Sequence, residues 1–83
     1  QLGGQLGGAY LGNPMAFSDR RLKKNIQKVG KKHGFDWYRF KYLGSDVWQE
    51  GVMADEIKKV RPEAVVRHKN GYDMVNYAML GAQ

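Results

Sequence analysis

The stretch FDWYRFKYL, residues 35–43, constrains the fold more than any other part of the chain. It sets Tyr38, Phe40 and Tyr42 on one face of an extended segment and Arg39 and Lys41 on the other, with Phe35 and Trp37 beginning in the opposite register. Period-two alternation with this many rings predicts a strand, and so much aromatic surface predicts that the strand lies in the core. Two further pieces are legible after it. Beyond the turn-like GSD of residues 44–46, the segment VMADEIKKVRPEA sets Met53, Ile57 and Val60 at helical spacing. Asp55 and Glu56 stand in its first turn and Lys58, Lys59 and Arg61 in its last, as the helix dipole favours, and Pro62 stops it; the pattern predicts a helix over residues 54–61. In AVVRHKNGYDMVNY, Asn70-Gly71 tolerates positive φ and predicts a two-residue type I′ hairpin, whose register would pair Val66 with Val75 and His68 with Asp73. A small antiparallel sheet with hairpins and one short helix is an α+β domain.

Such a domain has little core. A chain of 83 residues buries only about 60% of the surface its unfolded form exposes. With no cysteine, neither disulfides nor a thiolate zinc site can make up the difference, and the redox compartment is left open. The apolar faces of the aromatic strand exceed what one short helix can cover, so the chain is expected to associate with copies of itself. A net charge of +6 and a pI near 9.7 favour contact with something acidic without bearing on the fold. No apolar run approaches the roughly 20 residues of a membrane-spanning helix. Gln1 is not an initiator residue, from which a fragment or a processed product is expected.

The charge is distributed unevenly. Every Lys, Arg, Asp and Glu lies from Asp19 onward, whereas residues 1–17, QLGGQLGGAYLGNPMAF, are uncharged and open with a tandem QLGG repeat. A boundary is therefore expected at Ser18, with residues 1–17 a glycine-rich linker or an upstream structural segment and residues 18–83 the folded domain. Leu2, Leu6 and Tyr10 recur every four residues, as do Gly4, Gly8 and Gly12, a spacing that suits one face of a helix or of a strand. Glycine disfavours both, which leaves a flexible linker as the preferred reading and a packed element, needing a partner chain, as the other. The paired glycines lack the lysine and the strand-to-helix setting of a phosphate loop.

At the boundary itself, AFSDRRLKKNI sets Ser18 ahead of two arginines and two lysines. Ser18 and Asp19 suit a cap or turn leading into a solvated basic face. They equally suit chemistry, because a serine with a neutral lysine is a known nucleophile and base. Lys23 could accept the hydroxyl proton only when unprotonated; burial lowers a lysine pKa, and the positive neighbours Arg20, Arg21 and Lys24 would lower it further. Five residues apart, Ser18 and Lys23 point to opposite faces of a strand and fall out of line on a helix. The pair therefore requires a turn within SDRRLK, or a Lys23 from another subunit.

Taken in order, SDRRLKKNI, WYRFKY, GVMADEIKKVRPEAV and GYDMVNYAML span nearly all of residues 18–83. Together they closely resemble the intramolecular chaperone auto-processing domain at the C-terminus of phage endosialidases, tailspikes and tail fibres, related to a domain of eukaryotic myelin regulatory factors. The resemblance implies a module that trimerises the fibre ahead of it and then cuts itself off before the motif serine, with no cofactor. Carried over residue by residue, it implies Ser18 as nucleophile, Lys23 as base and Phe17–Ser18 as the scissile bond, with Asp19, Arg20, Arg21, Lys24 and Asn25 completing the motif. It also implies a homotrimer among other virion proteins, at a tail or fibre, assembled in the host cytoplasm. Many members continue into long helices that grip the fibre. Here MLGAQ follows within a few residues of Tyr77, so a compact form without that arm is expected.

The remaining features carry plainer readings. Arg20, Arg21, Lys23, Lys24, Lys28, Lys31 and Lys32 crowd a short span without interleaved aromatics, which favours a solvated face over a nucleic-acid site. His33 and His68 have no ligand spacing, and no metal is expected. Two function classes stand: a trimerising virion assembly module, self-cleaving at Phe17–Ser18, and a non-catalytic basic module that contacts DNA or an acidic virion partner.

Overall fold

The computed structural model describes residues 14–81. The QLGG repeat, and the linker expected there, lie outside the described residues. The end of that uncharged segment is a strand, β1 (Met15–Phe17). The chain then forms β2 (Lys23–Lys32), β3 (Phe35–Tyr42), β4 (Gln49–Gly51), the helix α1 (Ala54–Val60), β5 (Val65–Arg67) and β6 (Asp73–Asn76). The strands make two antiparallel sheets, ordered β2-β3-β4 and β1-β6-β5. This is the expected α+β architecture.

Strand β3 is the aromatic run, central in its sheet and covered on both faces. Phe35 and Trp37 are buried on one side and Phe40 on the other, while Arg39 and Lys41 stay half-buried. Its partner β2 has no apolar alternation: KKNIQKVGKK buries only Lys23. It is an edge strand, and lysines along an open edge discourage pairing with other chains, which is why hydrophobic periodicity does not reveal it. The turn joining β2 to β3 is His33-Gly34, with φ of 57° and 84°. Both central residues thus have the positive φ of a type I′ turn.

That geometry was expected at Asn70-Gly71, and there it does not occur. Among the described residues Asn70 is not one of those with positive φ, whereas Gly71 is, at 90°. Gly71 N–H donates to His68 O at 2.9 Å and His68 N–H to Tyr72 O at 2.8 Å, a wider loop ending in a left-handed glycine. The extra residue shifts the register by one: Val65 pairs with Val75, Val66 with Met74 and Arg67 with Asp73. The expected Val66–Val75 and His68–Asp73 pairs are not formed.

Helix α1 lies where its periodicity puts it, with Asp55 and Glu56 in the first turn and Lys58 and Lys59 in the last. Arg61 falls beyond it as the C-cap, and Pro62 starts a 3-10 turn, Pro62–Ala64, that leads into β5. Met53 and Ile57 are buried, but Val60, expected on the same stripe, is 69% exposed. The helix is a two-turn element whose last residue projects past the core before Pro62 redirects the chain. The core gathers Phe35 and Trp37 of β3, Val52, Ala54 and Ile57 at α1, Ala64, Val75 of β6, and Tyr77 and Leu80 of a closing 3-10 turn. Trp37 and Tyr77 meet edge to face at 5.7 Å. No helix among the described residues is long and apolar enough to cross a membrane.

Candidate active site

The peptide bond between Phe17 and Ser18 is held from several sides. Strand β1 delivers it to the sheet, where Ser18 N–H donates to Asp73 O at 3.1 Å. The Ser18 carbonyl accepts from Ala54 N–H at 2.8 Å, at the start of α1. The Phe17 carbonyl accepts from the Tyr42 hydroxyl at 2.7 Å, and the Phe17 ring packs edge-on against His68. Ser18 is fully buried. Its Oγ donates to Ala16 O at 3.4 Å and lies 3.1 Å from the Tyr77 hydroxyl, an oxygen that also accepts from Val52 N–H at 3.1 Å.

The turn required within SDRRLK exists: Arg20–Leu22 is a single 3-10 turn. Asp19 makes it, accepting from Arg21 N–H at 3.0 Å and from the Arg21 guanidinium, and it ties the turn to β6 by accepting from Asp73 N–H at 2.9 Å. Arg21 beside it holds the Asp19 carboxyl well below the usual carboxylate range. After the turn Lys23 opens β2 with its side chain inward, 6% exposed. Its Nζ donates to Val52 O at 2.8 Å, lies 3.9 Å from Met53 Sδ and stands 4.1 Å above the Phe40 ring. Burial among these groups lowers its pKa from 10.5 to about 7; Arg20 adds to the shift, while Asp19 and Asp55 oppose it. Near neutral pH a large share of this amine is therefore unprotonated.

Ser18 and Lys23 thus converge on Val52 from two sides, the serine through Tyr77 to its N–H and the lysine to its carbonyl. They do not hydrogen-bond each other. The other motif residues have separate duties. Arg20 pairs with Asp55 and Glu56, at 3.2 and 3.1 Å. Asn25 takes φ of 55° at an irregularity of β2, a left-handed conformation that asparagine tolerates better than most residues. Lys24 is half-buried and lies across from Lys41. Lys28 and Lys31 flank Asp36, and Lys32 stands over Trp37.

Two residues of the site carry no local signal. Tyr42 belongs to the aromatic run, where alternation alone marks it as core, and Tyr77 lies 59 residues from the serine it touches. Burial raises the pKa of both phenols, so each keeps its proton well above neutral pH. Gly51 makes room for Tyr77: a Cβ there would fall 2.5 Å from its hydroxyl. An apolar cleft of about 350 Å³, lined by Phe17, Leu22, Tyr42 and Leu43, opens beside Tyr42.

Fold and site together define a small α+β module built around a buried serine, two tyrosines and a lysine. The family described as chaperone of endosialidase matches residues 18–66, more than half of the chain, starting at Ser18. The chain belongs to that family, and the intramolecular chaperone resemblance holds over the matched residues, which take in SDRRLKKNI, WYRFKY and GVMADEIKKVRPEAV; GYDMVNYAML lies beyond them. No curated protein and no solved structure matches it.

Proposed function

We propose that the chain is the trimerising assembly module of a phage virion protein of tail or fibre type, and that it cleaves itself at the Phe17–Ser18 bond with Ser18 as nucleophile and Lys23 as base. The observation that carries this reading is the Lys23 amine, buried and bonded to Val52 O, in a chaperone-family chain whose fully buried Ser18 reaches the same Val52 through the Tyr77 hydroxyl; that burial lowers the amine's pKa to about 7. A lysine exposed on a basic face would keep its proton and could not serve. In the single chain the amine bonds to Val52 O and not to Ser18 Oγ, so cleavage requires the amine to change partner. Rotation of the long lysine side chain, driven by assembly, would bring it onto the hydroxyl. Arg20, through its charge, helps keep the amine neutral, while Asp19 and Arg21 fix the turn that joins nucleophile to base.

The test follows an assembled full-length protein by intact mass. A fragment beginning at Ser18 is expected, forming faster as pH rises through about 7, because only the neutral amine accepts a proton. Ser18→Ala and Lys23→Ala should each abolish it, and the double variant should be no worse than either, since nucleophile and base act as one unit. An assembled protein that stays intact at every pH sinks the cleavage reading and leaves an assembly module without a protease, in which Ser18 is only a structural residue.

A further inference from the structure

We propose that Tyr42 is a catalytic residue of this cleavage, donating its hydroxyl proton in a hydrogen bond that stabilises the negative charge developing on the Phe17 carbonyl oxygen. The inference rests on the self-cleavage reading and adds a group that the serine and lysine do not supply.

The chemistry identifies which oxygen needs a donor. Ser18 Oγ gives its proton to the base and adds to the Phe17 carbonyl carbon, and the displaced electron pair moves onto the Phe17 oxygen. Collapse of that intermediate breaks the bond to the Ser18 nitrogen, which takes the proton back from the lysine. Phe17 is left as an ester on Ser18 Oγ, with the Ser18 amine free. Water then hydrolyses the ester, giving a Phe17 carboxylate and the free serine hydroxyl. A donor already bonded to the Phe17 oxygen strengthens as charge builds there and needs no reorganisation at that moment.

Tyr42 fits this role in position and in protonation. Its hydroxyl is 2.7 Å from the ground-state Phe17 oxygen, already bonded to the atom on which the charge develops. It faces that oxygen from the other sheet, because β1 is an edge strand whose neighbour in the ladder is β6. In the β2–β3 register Tyr42 is the direct partner of Lys23, so one cross-strand pair carries both the base and the oxyanion donor. Burial keeps the phenol protonated across the range in which Lys23 becomes neutral. An apolar cleft lined by Phe17, Leu22, Tyr42 and Leu43 adjoins the donor.

The experiment measures release of the Ser18-headed fragment from the assembled full-length protein, as wild type, Tyr42→Phe, and with 3,5-difluorotyrosine at position 42. The expected result is a fall of about 10²–10³-fold in rate for Tyr42→Phe, the usual effect of losing one oxyanion donor. Its thermal midpoint and the pH midpoint of cleavage should stay near the wild-type values. The fluorinated phenol is a stronger donor of the same shape and should cleave faster than wild type below the pH at which it ionises. A folded Tyr42→Phe that cleaves at the wild-type rate, or a fluorinated protein with an unchanged rate, overturns the role of Tyr42 while leaving self-cleavage in place. A wild type that never cleaves overturns both. Should Tyr42→Phe fail to assemble, the fluorinated protein alone decides.

Discussion

Gly51 has an ordinary φ, so its lack of a side chain is explained by space and not by backbone strain. An alanine Cβ there would sit 2.5 Å from the Tyr77 hydroxyl and 3.4 Å from Phe40. Tyr77 cannot swing aside, being 2% exposed and stacked edge-on to Trp37. Gly51→Ala is therefore expected to cost about 1–3 kcal/mol, as overpacking does in a filled core. Tyr77→Phe should also cost about 1–3 kcal/mol, because Val52 N–H is left buried without its acceptor and Ser18 loses a partner. Combining them should be less damaging than the two losses added, since removing the hydroxyl vacates the space that the new methyl needs. Urea denaturation of the four proteins measures the coupling; strict additivity would mean that the close approach has no energetic consequence.

Across α1 the apolar spacing of Met53, Ile57 and Val60 does not translate into equal burial. Ile57 is 2% exposed and touches the shared core, while Val60 is 69% exposed at the end of the helix. Ile57→Ala should accordingly lower stability by about 2–5 kcal/mol, the range for a large-to-small change in a packed core. Val60→Ala should stay within about 0.5 kcal/mol of wild type. Thermal denaturation of both variants checks the assignment, and a large loss at Val60 would show that a neighbouring chain covers it in the assembled protein. The hairpins give the same lesson from the backbone. Asn70-Gly71 and His33-Gly34 both turn the chain, but only the second does so with positive φ at both residues. One added residue in the Gly71 loop is enough to change which side chains face each other across β5 and β6.

For the whole molecule, a buried ionisable lysine makes stability depend on pH. Unfolded, Lys23 keeps its proton up to about 10.5; folded, it gives it up near 7. Between those values the unfolded chain binds more protons, so stability should rise with pH across the window; below it both states are protonated and the penalty is constant. Tyr42 and Tyr77 set the upper end, since their folded pKa values lie above the ordinary 10.0 and unfolded tyrosines ionise first. The urea midpoint should thus be higher at about pH 9 than at about pH 6. Lys23→Met should flatten that rise. A wild-type midpoint that is level across the window would mean that Lys23 is not buried in the assembled state.

What the sequence determined by itself is local. Alternation marked β3, spacing and Pro62 marked α1, and the change in charge together with the SDRRLK motif marked Ser18 and Lys23, because each of these signals lies within a few residues of chain. The tertiary structure decided the rest. Strand β2 gives no signal, since an edge strand carrying lysines has no apolar face to show. Tyr42 reaches Phe17 across 25 residues and Tyr77 reaches Ser18 across 59. Contacts of that range depend on the phase of each pleat and the length of each turn between, and a shift of one residue in any of them would point a hydroxyl at a different partner.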